Sequence, residues 1–132
     1  TYLEMAFAAS FAAKLSDTFG SEIGKRFGQN TYLITSFKRV QRGTEGGISL
    51  EGTFASLIGS ILMSYLMMLL GFISSIDQLL IVTISGFIAT IFESIIGAKY
   101  QEIFKLSNEL VNAIQTSFAS LIAIVIFAFY KL

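Results

Sequence analysis

Three long stretches almost without charge dominate this sequence and decide what it can fold into. Residues 52–76 and 110–130 contain no charged side chain, and residues 78–98 contain only Glu93. Each stretch reaches the roughly 20 apolar residues that an α-helix needs to span a bilayer. A soluble domain carries about 25% charged residues, whereas this chain has 14% and a mean hydropathy of +0.72. We therefore predict an all-α, polytopic transmembrane helix bundle that lies in a lipid bilayer.

The helices are predicted to form a single membrane domain over residues 1–132. Their expected ranges are 2–19, 53–73, 76–98 and 108–130. One long polar loop, over residues 20–52, joins the first two helices and is the only stretch with room for a polar site. The chain reaches its first helix at once and shows no leader pattern. We therefore predict no signal peptide and expect the chain to be a fragment of a longer protein.

The basic residues indicate how the bundle is oriented. Five of the nine lie in the polar loop: Lys25, Arg26, Lys38, Arg39 and Arg42. The loop between the third and fourth helices holds two more, whereas the turn between the second and third holds none. Because cytoplasmic loops carry an excess of Lys and Arg, the long polar loop is expected to face the cytoplasm.

Residue types that are missing exclude several kinds of chemistry. The chain has no His and no Cys, so a typical zinc site, a thiolate nucleophile and a histidine general base are all excluded. Lys plus Arg and Asp plus Glu balance at nine each, which gives no sign of a nucleic-acid partner, and none is expected. Carboxylates, Lys, Arg, hydroxyls and amides remain to carry any activity.

Two carboxylates lie inside predicted helices, where a charge costs a few kcal/mol. Asp17 shares a helical face with Lys14 and Ser21, and Glu22 follows just beyond. Asp17 therefore belongs either to a polar site or to an ion pair with Lys14 at the membrane edge. Glu93 has no basic residue one helical turn away. Its partner must come from another helix, a metal or a ligand.

The densest polar cluster covers residues 38–49, with the sequence KRVQRGTEGGIS. Glycines let backbone N–H groups approach an anion, hydroxyls donate further hydrogen bonds, and cations neutralise phosphate charge. The cluster is neither a Walker A motif nor a Rossmann fingerprint. It predicts phosphate binding by Lys38, Arg42, Gly43, Thr44, Gly46, Gly47 and Ser49. The competing interpretation is a basic loop that contacts anionic lipid headgroups.

A polar stripe enters the fourth helix. Asn108 and Asn112 lie one helical turn apart, and Gln115 and Thr116 follow one turn further on. Amides in a membrane helix often make hydrogen bonds to neighbouring helices. A ligand-facing role is equally compatible with Asn108 and Asn112, because both start at the cytoplasmic edge.

The motifs resemble those of a known integral-membrane family, the one that contains plant phytyl-phosphate kinase of the vitamin E pathway. The first block reads Asp17-Thr18-x-x-Ser21-Glu22-x-Gly24, then Ile34-Thr35-x-x-Lys38-x-Val40-x-Arg42-Gly43-Thr44-x-Gly46-Gly47-x-Ser49-x-x-Gly52-Thr53-x-Ala55-Ser56. Later motifs are Glu93-Ser94-x-x-Gly97-Ala98-x-x-Gln101 and Asn108-x-x-x-Asn112. The resemblance covers nearly the whole chain. It suggests the C-terminal part of a prokaryotic member, in the cell membrane.

This resemblance implies a membrane-embedded kinase. Such an enzyme moves a phosphate from a nucleoside triphosphate, with CTP favoured, onto an isoprenyl monophosphate such as phytyl, farnesyl or geranylgeranyl phosphate. The expected cofactor is Mg²⁺, which takes one or two carboxylates plus substrate phosphates; its candidate ligands are Asp17, Glu22 and Glu93. The candidate catalytic residues are Asp17, Glu22, Lys38 and Arg42, and Ser21, Asn108 and Asn112 join the glycine-rich segment as phosphate-binding residues. An ionised phosphate acceptor needs no general base.

Two other classes of function stay open from the residues alone. A transporter or binding protein for a phosphorylated lipid or an ion could use the same basic loop and carboxylates. A purely structural helical subunit would tolerate Ala at Lys38, Arg42 and Glu93. The oligomeric state is not fixed by the sequence, and a homo-oligomer is compatible with it.

Overall fold

Four long helices account for most of the computed structural model, which describes all 132 residues. They are α1 (Tyr2–Phe27), α2 (Leu50–Leu69), α3 (Ile76–Lys99) and α4 (Asn108–Tyr130). The predicted all-α bundle is confirmed, and the chain contributes four helices to it.

Three of the helices, α2, α3 and α4, are long and apolar enough to cross a membrane by length and composition. The first helix, which was also expected to span the bilayer, is not among them, because Glu4, Lys14 and Asp17 lower its hydropathy. Instead, α1 packs against each of the other three helices. Its buried face consists almost entirely of small residues: Met5, Ala8, Ala9, Ala12, Ala13 and Ser16.

Two helices differ in range from the predicted ones. Helix α1 continues to Phe27 instead of ending at residue 19, and α2 runs over Leu50–Leu69 instead of 53–73. The extension of α1 contains Gly20, where an added Cβ would collide with the hydroxyl of Ser56 on α2. The extended part of α1, which contains glycines and polar residues, is therefore in close backbone contact with α2.

The polar segment between α1 and α2, predicted as a loop over 20–52, is confined to residues 28–49 and contains a small antiparallel sheet. Its strands are β1 (Thr31–Leu33), β2 (Arg39–Val40) and β3 (Gly47–Ile48), in the order β2-β1-β3. The register pairs Thr31 with Val40 and Tyr32 with Ile48. Strands this short carry no readable hydrophobic period, which is why the sequence did not predict them.

Hydroxyl and amide groups join the helices where they cross. Ser60 Oγ on α2 donates a hydrogen bond to the Thr83 carbonyl on α3 at 2.8 Å. Gln115 Nε2 on α4 donates to the Ala13 carbonyl and to Thr90 Oγ1, both at 3.3 Å. Such bonds average about 0.6 kcal/mol each in membrane helices. Gln115 therefore serves interhelical packing, one of the two roles considered for the polar stripe.

The C-terminal ends of α1 and α3 and the N-terminal ends of α2 and α4 meet at one end of the bundle. Gly24 of α1 lies close to Gly52 of α2, and Lys14 of α1 bonds Asn112 of α4. The sheet sits at the same end, where Gly46 contacts Ala98 of α3. The polar groups of the chain are thus gathered at one end of an apolar bundle.

Candidate functional site

A polar cavity of about 280 Å³ opens where the sheet meets the helix ends. Of its 22 lining residues, only four are hydrophobic, so the cavity suits a polar or charged ligand group. The residues that form this cavity wall are Asp17, Gly20, Ser21, Gly24 and Lys25 from α1; Thr31, Ile34, Gly43, Thr44, Glu45, Gly46, Gly47, Ile48 and Ser49 from the segment with the sheet; Gly52, Thr53 and Ser56 from α2; and Phe87, Thr90, Ile91, Glu93 and Ser94 from α3.

Asp17 lies in the cavity wall with its side chain only 14% exposed. One carboxylate oxygen pairs with Lys14 Nζ at 3.3 Å, and the other accepts a weak hydrogen bond from Ser21 Oγ at 3.4 Å. Lys14 Nζ also donates to Asn112 Oδ1 at 2.9 Å. Asp17 therefore fits both interpretations, because its carboxylate lies in the cavity wall and also forms an ion pair with Lys14.

Glu93 is half-buried in the same wall and forms no ion pair. The carboxylates of Asp17 and Glu45 lie in the same wall and their charges repel that of Glu93, while the Lys14 ammonium opposes this repulsion. Against these three acids stand two basic side chains: Lys25 in the wall and Lys14, which pairs with Asp17. A cavity with this excess of negative charge attracts cations and would repel a bare phosphate.

The glycine-rich segment presents unpaired backbone donors. Gly43 and Gly46 have φ of +85° and +75°, a backbone conformation that favours glycine. The backbone N–H groups of Gly43, Glu45 and Gly46 have no hydrogen-bond partner within the chain. Successive free N–H groups in such a turn are a recurring way of binding an anion. The segment thus combines a carboxylate with donors suited to phosphate oxygens.

Thr31 adds a buried hydroxyl that sequence reasoning missed. Its side chain lines the cavity, the residue is only 6% exposed, and its Oγ1 has no hydrogen-bond partner. A buried polar group without a partner costs about 1–3 kcal/mol. The Thr31 hydroxyl is thus a buried group without a partner at the cavity, with almost no accessible surface of its own.

The predicted cationic residues Lys38 and Arg42 lie outside the cavity wall. Both are exposed, and the Arg42 guanidinium donates to the Arg26 carbonyl at 2.9 Å, at the C-terminal end of α1. Their placement agrees with the competing interpretation, in which basic residues contact lipid headgroups. Lys25 is the basic residue that does line the cavity, and it was not among the candidate residues chosen from the sequence.

Three other candidate residues also lie outside the wall. Glu22 has a side chain that is 61% exposed and lies 3.9 Å from Lys25. Asn108 accepts a hydrogen bond from Gln101 Nε2 at 2.7 Å, and Asn112 holds Lys14. The amides of α4 thus bond to side chains of the protein. Asn112 is connected to the site only through Lys14, which pairs with Asp17.

The remaining candidates are in the wall: Asp17, Ser21, Gly43, Thr44, Gly46, Gly47, Ser49 and Glu93. The ligand-binding roles of these residues stay predictions. For the metal, no group of three or more acidic side chains converges in the chain. Asp17 and Glu93 share the wall without Glu22, and two carboxylates match what Mg²⁺ takes when substrate phosphates supply further oxygens.

Some wall residues could have been found from their spacing. Ser56 of α2 and Thr90 and Ser94 of α3 belong to stripes of small and hydroxyl residues that repeat every four positions. Such stripes indicate close helix packing. Where α2 and α3 separate near the sheet, the same stripes line the cavity instead. Glu45 could not be found in this way, because it belongs to no stripe and a carboxylate in a polar segment is usually a solvated charge.

The family described as Integral membrane protein DUF92 matches residues 1–120. The chain belongs to this integral membrane family. The match confirms the family that was recognised from the motifs. No solved structure matches the chain.

Relatives come from plants, cyanobacteria and archaea. The chain is 48% identical over 123 residues to the chloroplastic protein VTE6 of Arabidopsis thaliana, 91% of this chain and 37% of that protein. It is 44% identical over 124 residues to an uncharacterized membrane protein of Synechocystis, 93% of this chain and 48% of the relative. An uncharacterized membrane protein of Methanocaldococcus jannaschii is 35% identical over 121 residues, 92% of this chain and 50% of the relative. The chain therefore spans half the length of these relatives or less.

Proposed function

We propose that this chain forms the catalytic part of a membrane-embedded kinase, which transfers a phosphate from a nucleoside triphosphate, with CTP favoured, to an isoprenyl monophosphate. The observation that carries the proposal is the cavity at the end of the bundle, where Asp17 and Glu93 share a wall with the glycine-rich segment 43–49. The motif resemblance to the phytyl-phosphate kinase family and the identity with VTE6 support the choice of substrate.

The charges of the wall support a phosphate that arrives with a cation. Asp17, Glu45 and Glu93 outnumber Lys25 and the Lys14 that pairs with Asp17, so a phosphate alone would be repelled. A divalent cation held by Asp17 and Glu93 would neutralise phosphate charge and bridge the wall to the substrate. We propose Mg²⁺ for this role, since its preferred ligands are hard oxygens.

The remaining groups of the wall would position the reactants. An ionised oxygen of the isoprenyl monophosphate attacks the γ-phosphorus of the nucleotide, a new P–O bond forms, and the bond to the β-phosphate bridging oxygen breaks. The free N–H groups of Gly43, Glu45 and Gly46 and the Lys25 ammonium are suited to the phosphate oxygens. Because the attacking oxygen is already ionised, catalysis reduces to alignment and charge neutralisation.

The direct test supplies the complete protein, in nanodiscs, with Mg²⁺, CTP and phytyl or farnesyl phosphate. We expect the isoprenyl diphosphate and CDP to form in equal amounts, measured by mass spectrometry. ATP, GTP and UTP in parallel define the donor. A folded preparation that forms no diphosphate with any of the four nucleotides contradicts the proposal.

The acidic wall also fits a second candidate, an ion or phospholipid-type transporter that binds its cargo without chemistry. This alternative predicts that Mg²⁺ and the isoprenyl phosphate raise the melting temperature of the protein while nucleotide is left intact. The kinase predicts a further shift with a non-hydrolysable nucleotide analogue. If a nucleotide shift is absent and cargo binding is retained, the transporter is favoured.

We further propose that the basic segment 38–42 faces the cytoplasm, as the distribution of Lys and Arg indicates. Since the cavity opens at the same end, the nucleotide would enter from the cytoplasm. Labelling a cysteine introduced at Lys38 in intact and in lysed cells tests this orientation. Labelling by an impermeant reagent in intact cells would contradict it.

A further inference from the structure

The cavity has an apolar side that the phosphate chemistry does not use. Phe87 and Ile91 of α3 lie one helical turn apart and both line the cavity. They lie toward the bilayer interior from Glu93 and the glycine-rich segment, because Ile91 precedes the end of α3 at Lys99 by about 12 Å of helix. The cavity therefore extends from a polar end into the apolar depth of the bundle.

This apolar side is open between α2 and α3. Farther into the bundle the two helices are in contact, since Ser60 bonds the Thr83 carbonyl and a Cβ at Gly86 would lie 2.7 Å from Ser60 Oγ. Nearer the sheet, Thr53 of α2 and Ile91 of α3 line the cavity and are both exposed. Exposed residues that line a cavity mark where its wall is open, so we place the opening between these two residues.

Because α2 and α3 are both apolar enough to span a membrane, the outside surface at Ile91 is bathed by lipid. We propose that the gap between α2 and α3, bordered by Thr53, Phe87 and Ile91, is a lateral entrance through which the hydrocarbon chain of a membrane-resident phosphorylated lipid reaches the cavity. The phosphate lies among the polar groups of the wall while the chain leaves across Phe87 and Ile91 into the bilayer. This inference rests on the proposed kinase and names the residues that determine its preference for long chains.

Filling the entrance should penalise long substrates more than short ones. The test compares geranylgeranyl phosphate with dimethylallyl phosphate, which has a single isoprene unit, in the complete protein carrying Ile91→Trp. We expect the ratio of kcat/KM for the long to the short substrate to fall about tenfold, because a bulky ring in a tight apolar pocket excludes chain methylenes. Ile88→Trp is the matched control: Ile88 and Ile91 are both 39% exposed, on the same helix, and Ile88 does not line the cavity. Its ratio should equal that of the wild type.

Equal losses with both substrates in Ile91→Trp, or the same change of ratio in Ile88→Trp, would overturn the entrance. A second measurement separates this outcome from failure of the kinase proposal. A geranylgeranyl phosphate with a photoreactive diazirine in its first isoprene units should label residues 87–91, and unlabelled geranylgeranyl phosphate should compete. Labelling there without any phosphate transfer supports the entrance and contradicts the kinase. Labelling elsewhere on the bundle contradicts the entrance even in an active enzyme.

Discussion

The two halves of the cluster over residues 38–49 lie in different places in the structure, although the sequence presents them as one phosphate-binding unit. The glycine-rich half, 43–49, lines the cavity and is seated on the end of α3 through Gly46. The basic half, 38–42, is largely exposed, and Arg42 bonds back to the end of α1.

Strand order explains the separation. In the order β2-β1-β3, the strand that carries Arg39 and the strand that carries Gly47 lie on opposite edges of β1. Strand β3 packs against α3, and Gly47 and Ile48 of this strand line the cavity, whereas Arg39 and Val40 of β2 do not. Two segments that are adjacent in the chain therefore lie apart in the structure: residues 43–49 are in the cavity wall and residues 38–42 are at the surface. A cluster of cations in a sequence indicates a site only when the fold turns it inward.

The largest expected difference between wall and surface is at the carboxylates of α1. Asp17→Asn should lower kcat/KM for phosphate transfer by about 10²–10³-fold, because it removes a carboxylate proposed to hold the cation that neutralises phosphate charge. The control is Glu22→Gln, on the same helix with a side chain 61% exposed, which should stay within about twofold of the wild type. Steady-state kinetics measure both, and a thermal-shift assay checks folding. Wild-type turnover in Asp17→Asn would remove this carboxylate from the proposed site.

The next largest effect tests how the glycine-rich half is seated. In Gly46→Ala the new methyl group would lie 2.6 Å from the backbone N and Cα of Ala98, at a φ of +75°. The left-handed backbone costs about 1–2 kcal/mol, and overpacking adds about 1–3 kcal/mol, so the segment should shift and nucleotide binding should weaken. Gly71→Ala is the matched control, because its φ is +85° with no atom within 4 Å of the added Cβ.

Gly71→Ala should therefore show the backbone cost alone. Limited proteolysis within residues 28–49 and the melting temperature in detergent separate the two variants. Equal behaviour of the two would show that the contact with α3 does not hold the segment in place.

The smallest expected effect concerns the two lysines. Lys25→Ala should raise the KM for nucleotide about tenfold, since Lys25 is the one cation in the wall. Lys38→Ala should change KM by less than about twofold, because an exposed surface charge contributes little. A larger loss in Lys38→Ala than in Lys25→Ala would reverse the comparison and restore the original interpretation of the basic cluster.

The candidates that lie in the wall include the two helix carboxylates and the glycine-rich segment 43–49. Asp17 and Glu93 stood out because a carboxylate in an apolar helix needs a reason. Glu22 was chosen because it follows Asp17, and Asn108 and Asn112 because they form a polar stripe; each lies outside the wall. A helix turns by about 100° per residue, so a residue close to a site in sequence can point away from it.

Hydropathy and residue type alone determined that the chain is a helical membrane protein, where its polar groups collect, and which family it belongs to. These properties are carried by local composition and motifs, so they survive without coordinates. Tertiary structure alone decided that α1 packs against the other three helices, that β2 and β3 lie on opposite edges of the sheet, and that Phe87 and Ile91 of α3 line the same cavity as the glycine-rich segment. Each depends on contacts between residues far apart in the chain, whose pairing no local pattern specifies.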